Sequence, residues 1–284
     1  MNKIKNSRAA SFLLVALVYV VATVTGIVAY VSLPYNFALN LLIADVLATA
    51  VTFIFSLIFG NASVYDPYWS VQPPVILVAF AMGRPLTVAG ALVLIAVMLW
   101  GVRLTANWAY TFGGLWHEDW RYTMLREQTG TLYPLVNFIG IHLVPTLVVY
   151  LCTLPAVHII ISGASWNVFS VIFFLLSVSA AVLQGVADIQ MHRYRRNRET
   201  PFVRIGLWKY SRHPNYLGEI LMWWGVGLSA VCILPGSLYL LSGAVANTLL
   251  FTFISIPMAE RRQSRKEGFD QYKAETRVLL PLKK

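Results

Sequence analysis

Charged side chains are scarce in this sequence. Of its 284 residues, 12% are charged and 58% are hydrophobic, and the mean hydropathy is +0.65. A soluble domain is roughly half apolar and about a quarter charged, so this composition excludes an ordinary water-soluble domain. Apolar runs of about 20 residues recur along the chain and predict membrane-spanning helices. We therefore expect an all-α fold, a polytopic transmembrane helical bundle of about seven or eight spans.

Cysteine is almost absent as well, and the familiar catalytic motifs are missing. Cys152 and Cys232 both lie in apolar runs, so they indicate neither a disulfide framework nor a metal site. No P-loop, H-E-x-x-H, G-x-S-x-G or paired C-x-x-C motif occurs. Residues 225–230 match G-x-G-x-x-A, but because they lie inside an apolar run we interpret them as a helix-packing face. No metal is expected.

The apolar runs give the approximate positions of the spans. They cover about residues 11–31, 37–60, 69–83, 86–108, 135–160, 166–189, 216–235 and 237–258. The third run is short and contains Pro73 and Pro74, which is compatible with a tilted or re-entrant segment. No Gly/Ser/Pro-rich linker separates the runs, so we expect residues 1–284 to form one integrated membrane domain, with the basic N-terminal region leading into a retained first helix.

The net charge of +10 is spread over short connections and both ends of the chain. Lys and Arg lie in 103–126, 193–212 and 261–284, whereas 32–36 and 161–165 carry none. The positive-inside rule then predicts cytoplasmic N- and C-termini and a polar site that opens to the cytoplasm. The basic tail has few aromatic residues, so we expect no nucleic-acid partner.

Residues 206–219 stand out because they lie at a water-to-membrane boundary. Arginines at 193–198 precede them, and an apolar run follows. Pro214 suits the first turn of a helix, with Ser211 or His213 as its cap. The free N–H groups of that turn and the nearby cations predict an anion site. Anchoring at the membrane surface is the alternative interpretation of the same residues.

A few polar side chains fall inside the apolar runs. Glu219 follows Asn215 by four residues, so both lie on one helix face. A carboxylate inside a membrane helix usually marks a functional site. Asp45 and Asp188 are similar cases, for which pairing with Asn, Thr or backbone groups, or a surface ion pair, is a sufficient explanation.

These residues resemble a known family. Segments 118–122, 187–190, 206–219, 257–260 and 268–272 resemble the bacterial branch of the steroid 5α-reductase-like membrane family. More distantly, the chain is similar to sterol reductases and to isoprenylcysteine methyltransferases. The resemblance implies a catalytic core at 61–284 behind variable N-terminal helices at 1–60, and a location in a bacterial inner membrane.

The resemblance also implies a cofactor site. The contacts that it implies are at Asp188, Arg195, Asn215, Tyr216, Glu260 and Tyr272, with Arg212 and His213 in the same pocket and Arg103 and Asn107 along the cofactor channel. Steroid-reducing members carry a Tyr one turn before the arginine that matches Arg103. This sequence has Trp100 there, which cannot act as the acid.

Three functions remain open. The first is an NADPH-dependent reductase of an activated C=C bond in a lipid-like substrate, with Tyr68, Tyr110, Tyr122 or Glu219 as the candidate catalytic donor. The second is a lipid or isoprenylcysteine-type methyltransferase that uses S-adenosylmethionine. The third is a non-enzymatic, lipid-binding membrane protein. In each case we expect membrane lipids and a lipid-soluble small molecule as partners, and the sequence leaves the oligomeric state open.

Overall fold

The computed structural model describes residues 5–281, and regular structure in this range is helical. The longer α-helices are α1 (Arg8–Ser32), α2 (Phe37–Phe59), α3 (Tyr68–Ala81), α4 (Val88–Thr111), α5 (Trp120–Thr129), α6 (Val144–Ser162), α7 (Val168–Arg196), α8 (Pro214–Ile233), α9 (Ser242–Leu250), α10 (Ile256–Gln263) and α11 (Phe269–Glu275), and the short helical turn Tyr133–Val136 lies between α5 and α6. Two π-helical segments, Asn137–Leu143 and Phe251–Ser255, lead into α6 and α10. Within 5–281, β-type pairing is limited to an isolated bridge between Ser211 and Arg277.

Seven helical stretches of the described residues are long and apolar enough to cross a membrane. They are Arg8–Ser32, Phe37–Phe59, Val88–Thr111, Trp120–Ser162, Val168–Arg196, Pro214–Ile233 and Leu238–Gln263. The prediction of an all-α polytopic bundle is therefore confirmed. The run predicted at 69–83 forms α3, which has 14 residues. At 1.5 Å per residue α3 is about 21 Å long, shorter than the ~30 Å hydrocarbon layer.

Local sequence explains where the first helices begin and end. Ser7 caps α1 by accepting a hydrogen bond from the Ala10 amide, and Asn36 caps α2 by accepting one from the Leu39 amide. The α2 helix ends at Gly60, which has φ of 59° in the left-handed region. Glycine adopts this conformation without a Cβ clash, so the position of Gly60 sets the start of the connection to α3.

Packing divides the chain into two compact units, which are described separately. Unit 1 comprises Met1–Val75 and Leu104–Tyr150, and unit 2 comprises Ile76–Arg103 and Leu151–Lys284. In unit 1, α1 packs along α2. One apolar core of unit 1 consists of Val15, Val18, Phe59, Val64, Phe112 and Leu115. The expectation of one integrated domain stays a prediction.

In unit 2, α7 and α8 pack together through small residues. A Cβ at Gly225 would lie 2.6 Å from the Phe173 carbonyl oxygen and closer still to Ser177 Oγ. At Gly218 it would lie 2.8 Å from the Ala180 carbonyl oxygen. These distances are too short for any side chain, so the glycines let the two helices approach. The G-x-G-x-x-A stretch is thus part of a packing face.

We predict that Gly225→Ala destabilises the protein because the added methyl group would force α7 and α8 apart. Overpacking of this kind costs ~1–3 kcal/mol, which thermal unfolding in detergent would detect as a lower Tm. The control is Gly185→Ala on α7, where the new Cβ would meet Arg103 Cδ at an ordinary 3.7 Å. Equal Tm values for the two variants would contradict the close-packing interpretation.

Candidate functional site

The start of α8 in unit 2 has an unusual cap. His213 is the N-cap residue and Pro214 the first helical residue, as predicted, but the side chain of His213 makes no capping hydrogen bond. Ser211 does not cap the helix either, because its Oγ accepts from the His213 amide at 3.3 Å. Instead, the amides of Arg212 and His213 donate to the carbonyl oxygens of Arg277 and Val278 at 3.0 and 3.1 Å. The segment after α11 therefore holds the start of α8.

A buried cluster of charged side chains also holds the start of α8. Arg212 Nε donates to Glu260 Oε1 at 2.6 Å, and His213 Nε2 lies 3.3 Å from the same oxygen. Arg212 Nη1 also donates to the Thr276 carbonyl oxygen. The side chain of Arg212 is only 5% exposed, so it is buried together with these partners. The predicted residues Arg212, His213 and Glu260 do come together, and they join α8 to α10.

Tyr272 on α11 holds the turn that precedes α8. Its hydroxyl donates to the carbonyl oxygen of Trp208, in the 3₁₀-helix Gly206–Lys209. Its ring packs on Phe202 and Phe269, with centroid distances of 5.1 and 5.9 Å. Burial raises the pKa of Tyr272 to about 12, so the phenol stays neutral and keeps donating.

Asn215 and Tyr216 lie in the first turn of α8. The ring of Tyr216 stacks on the ring of His213, with centroids 5.1 Å apart and planes only 4° from parallel. Its other neighbour is Phe251, at 4.9 Å. Oδ1 of Asn215 is buried and receives no hydrogen bond from the described residues. An unpaired buried acceptor is costly, so a donor from a ligand would be favourable here.

Four cations gather in unit 2. Arg195, at the end of α7, lies within electrostatic range of Arg198 and Arg262. Lys266 lies within range of the same two arginines; burial lowers the pKa of Lys266, and the two arginine charges lower it further. We call Arg195, Arg198, Arg262 and Lys266 the cation group. Asp188, which lies within range of Arg195, already pairs with Arg103, and four positive charges close together would attract an anion.

A second buried network in unit 2 surrounds Glu219. Oε2 of Glu219 accepts from Trp100 Nε1 and from Gln184 Nε2, both at 2.8 Å, and Oε1 accepts from Trp223 Nε1 at 2.9 Å. Three N–H donors thus satisfy a carboxylate that is 4% exposed. Hydrogen bonds of this kind stabilise the ionised form. Trp100, which replaces the expected Tyr, is a partner of Glu219.

The Glu219 network extends to two of the predicted cofactor residues. Arg103 Nη1 forms an ion pair with Asp188 Oδ2 at 2.7 Å, and Arg103 Nη2 donates to Gln184 Oε1. Arg103, Asp188, Gln184 and Glu219 therefore form one continuous network across α4, α7 and α8. Trp223 was not predicted, although its position four residues after Glu219 is a spacing that places both on one helix face.

The remaining predicted residues, Tyr68, Asn107, Tyr110 and Tyr122, belong to unit 1. The hydroxyl of Tyr68 donates to Asp45 Oδ1 at 3.2 Å. The hydroxyl of Tyr122 donates to Asp66 Oδ1 at 2.6 Å, and Tyr110 is 53% exposed. Two of the candidate donors, Tyr68 and Tyr122, are thus buried phenols that are paired with a carboxyl group.

Comparison with known proteins gives a family match. The sequence model of the family described as "Protein of unknown function (DUF1295)" matches residues 52–276, a range that contains every candidate site residue. A relative, "Uncharacterized protein C594.04c" of Schizosaccharomyces pombe (strain 972 / ATCC 24843), is 26% identical over an alignment of 234 residues; the match covers 70% of this chain and 67% of the relative. No solved structure matches the chain.

We predict that Asp66 makes stability depend on pH. Burial raises its pKa from 3.8 to about 7, against the opposing charge of Arg121. Because the folded protein holds this proton more tightly than the unfolded chain does, the stabilisation is complete at low pH and is lost as the pH rises towards 7. Between about pH 5 and pH 8, the Tm of Asp66→Asn should therefore fall less than that of the wild type.

The control variant is Asp270→Asn, on the exposed face of α11, and its Tm should change with pH as that of the wild type does. A wild-type slope in Asp66→Asn would refute the assignment.

Proposed function

The chain belongs to the DUF1295 family, which includes steroid 5α-reductase-like proteins, and on that premise we propose that it is a membrane-embedded NADPH-dependent reductase. Its substrate would be an activated C=C bond in a lipid-like molecule of the steroid or isoprenoid type. The observation that carries the proposal is the start of α8, where an unpaired Asn215 oxygen adjoins a buried Arg212–Glu260 pair. The cation group in the same unit supports it.

The residues of unit 2 suit a dinucleotide phosphate. The cation group would hold its phosphates, since guanidinium groups pair with phosphate oxygens through two parallel hydrogen bonds. Oδ1 of Asn215 would accept a hydrogen bond from an amide or hydroxyl group of the cofactor. When bound, NADPH supplies a hydride. The Arg212–Glu260 pair and Tyr272 would act indirectly, by holding the first turn of α8 rigid.

The Glu219 network would position rather than react. Both oxygens of Glu219 already accept hydrogen bonds, so the side chain has little capacity to donate a proton. Its partner Gln184 leads to Arg103, whose Nε is buried and has no acceptor among the described residues. Arg103 is therefore the group of this network with an unused donor that could face a ligand. We assign the proton-donating role to a phenol, Tyr68 or Tyr122, in preference to Glu219.

The expected substrate is lipid-soluble because the long helices expose apolar side chains along their length. Examples on α1 are Leu13, Leu17, Val24 and Val31, each more than half exposed. In a membrane these side chains contact lipid. A lipid-like substrate would enter from that phase, and excluding water from an apolar bundle would strengthen the polar contacts to it.

We also propose that the termini and the cation group are cytoplasmic. The basic segments 193–212 and 261–284 lie on the same side of the membrane as Lys5 and Arg8 only if α3 crosses the membrane as an eighth segment. A helix of about 21 Å can do so if the bilayer thins locally. The excess of Lys and Arg on that side then obeys the positive-inside rule.

We predict that NADPH raises the Tm of the purified protein and that S-adenosylmethionine does not. At a ligand concentration of about 100 times Kd, binding adds ~2.7 kcal/mol to the free energy of unfolding, which a thermal-shift assay would resolve. S-adenosylmethionine carries one carboxylate and no phosphate, so its binding would not require the four positive charges of the cation group. Stabilisation by S-adenosylmethionine alone would instead identify a methyltransferase, and stabilisation by neither would favour a non-enzymatic lipid-binding protein.

A second prediction concerns Arg195. If it meets the 2′-phosphate, Arg195→Ala should weaken NADPH about tenfold, or ~1.4 kcal/mol, and leave the Kd of NADH unchanged. The matched control is Arg193→Ala at the same end of α7, because residues two positions apart lie on roughly opposite faces of a helix. Titration of both cofactors against both variants would test this. Equal losses for NADH and NADPH in Arg195→Ala would reject the role.

A further inference from the structure

A buried polar stripe runs along α2 in unit 1. Its members are Asp45, Thr49, Thr52 and Ser56, which are at most 4% exposed. Their spacings of four, three and four residues place them on one face of the helix. Polar groups inside a membrane helix are costly unless they are paired, and they usually serve a function. The cofactor site in unit 2 uses none of them.

Hydroxyl groups link part of this stripe into a chain. The Tyr68 hydroxyl donates to Asp45 Oδ1 at 3.2 Å, and the side chain of Thr49 lies close enough to interact with the same hydroxyl. Thr49 Oγ1 bonds to Thr146 Oγ1 at 2.9 Å, and Thr146 Oγ1 bonds to the Tyr65 hydroxyl at 2.8 Å. Neighbouring side-chain oxygens therefore lead from Asp45, inside α2, to Tyr65, in the 3₁₀-helix Ala62–Tyr65 that follows it.

The members of this chain are suited to proton transfer. A hydroxyl group both donates and accepts, and it rotates between the two arrangements. In the Thr49–Thr146 and Thr146–Tyr65 bonds either oxygen can be the donor. The Tyr65 ring also packs 4.7 Å from the His142 ring. His142 belongs to the π-helical segment Asn137–Leu143, and such segments often mark functional sites.

Asp45 has the features of a neutral acid. Its hydrogen-bond partners are the Tyr68 hydroxyl and the amide of Gln72, which donates to Oδ2 at 2.6 Å, and the phenols of Tyr65 and Tyr150 lie within electrostatic range. Among the described residues, no Lys or Arg forms a hydrogen bond or ion pair with it. An ionised carboxylate is very costly in such surroundings, whereas a carboxylic acid can donate to the Tyr68 oxygen.

We propose that Asp45, Tyr68, Thr49, Thr146 and Tyr65 form a proton relay. The relay protonates Asp45 from the side of the α2–α3 connection and delivers the proton through Tyr68.

The delivery step rests on the proposed reductase function. There, the Tyr68 O–H bond breaks and its proton passes to a substrate oxygen that carries the negative charge left by reduction. The Asp45 O–H bond then breaks and restores the Tyr68 hydroxyl. A proton that comes ultimately from water is passed along Tyr65, Thr146, Thr49 and Tyr68 and restores Asp45. One hydride and one proton are consumed.

Infrared spectroscopy of the whole protein tests the relay without any turnover. Asp45 should contribute the carbonyl stretching band of a neutral carboxylic acid, and Asp45→Asn should lose that band. On transfer to D₂O the band should shift as the proton exchanges. Thr49→Val removes the central hydroxyl at nearly constant shape, so exchange should slow by roughly tenfold or more. Thr49→Ser, which keeps a hydroxyl, should restore the rate.

Thr52→Val is the matched control. It is the same substitution one turn further along the stripe, at a hydroxyl that donates to the Thr49 carbonyl oxygen and lies outside the relay. Its exchange rate should equal that of the wild type. An unchanged rate in Thr49→Val, equal slowing in Thr52→Val, or the absence of an Asp45 band would each overturn the relay. If exchange behaves as expected but NADPH neither binds nor is oxidised, the relay stands and the reductase function fails.

Discussion

Pairing of buried polar groups is the constraint on which the rest of this structure depends. Lipid and packed apolar side chains offer no hydrogen bonds, so each polar group inside the helices must find its partner within the protein. Glu219 illustrates the rule, since two tryptophan N–H groups and one amide N–H group satisfy its two oxygens. Because these donors come from α4, α7 and α8, one carboxylate fixes the relation among the parts of these three helices that belong to unit 2.

The same constraint shapes the start of α8. A helix whose first residue is proline and whose cap residue makes no side-chain bond leaves N–H groups exposed to the nearest acceptor. The segment after α11 supplies two carbonyl oxygens to the residues just before the helix, and the buried Arg212–Glu260 pair holds that arrangement. The result is a rigid first turn with a positive end, which is a favourable place for an anionic ligand.

The sequence indicated some of this chemistry and missed other parts for identifiable reasons. Residues 206–219 contain a Pro that suits the first turn of a helix. They also contain an Asn and a Glu four residues apart, which lie on one helix face, so the start of α8 was predictable. Trp100 could be read only as the loss of a Tyr, because its bond to Glu219 joins residues 119 positions apart. The threonines of α2 have no signal of their own, since isolated hydroxyl groups are common in apolar helices.

Hydropathy and charge distribution by themselves determined that the chain is a polytopic helical membrane protein and where most of its spans lie. Both depend on local composition, and the cost of an unpaired backbone in lipid leaves helices as the outcome. Tertiary structure alone decided which buried groups are neighbours. It paired Asp45 with Tyr68 and Gln72, divided the candidate residues between two units, and left Asn215 Oδ1 without a donor. Such contacts depend on distances between helices, which periodicity along one helix does not encode.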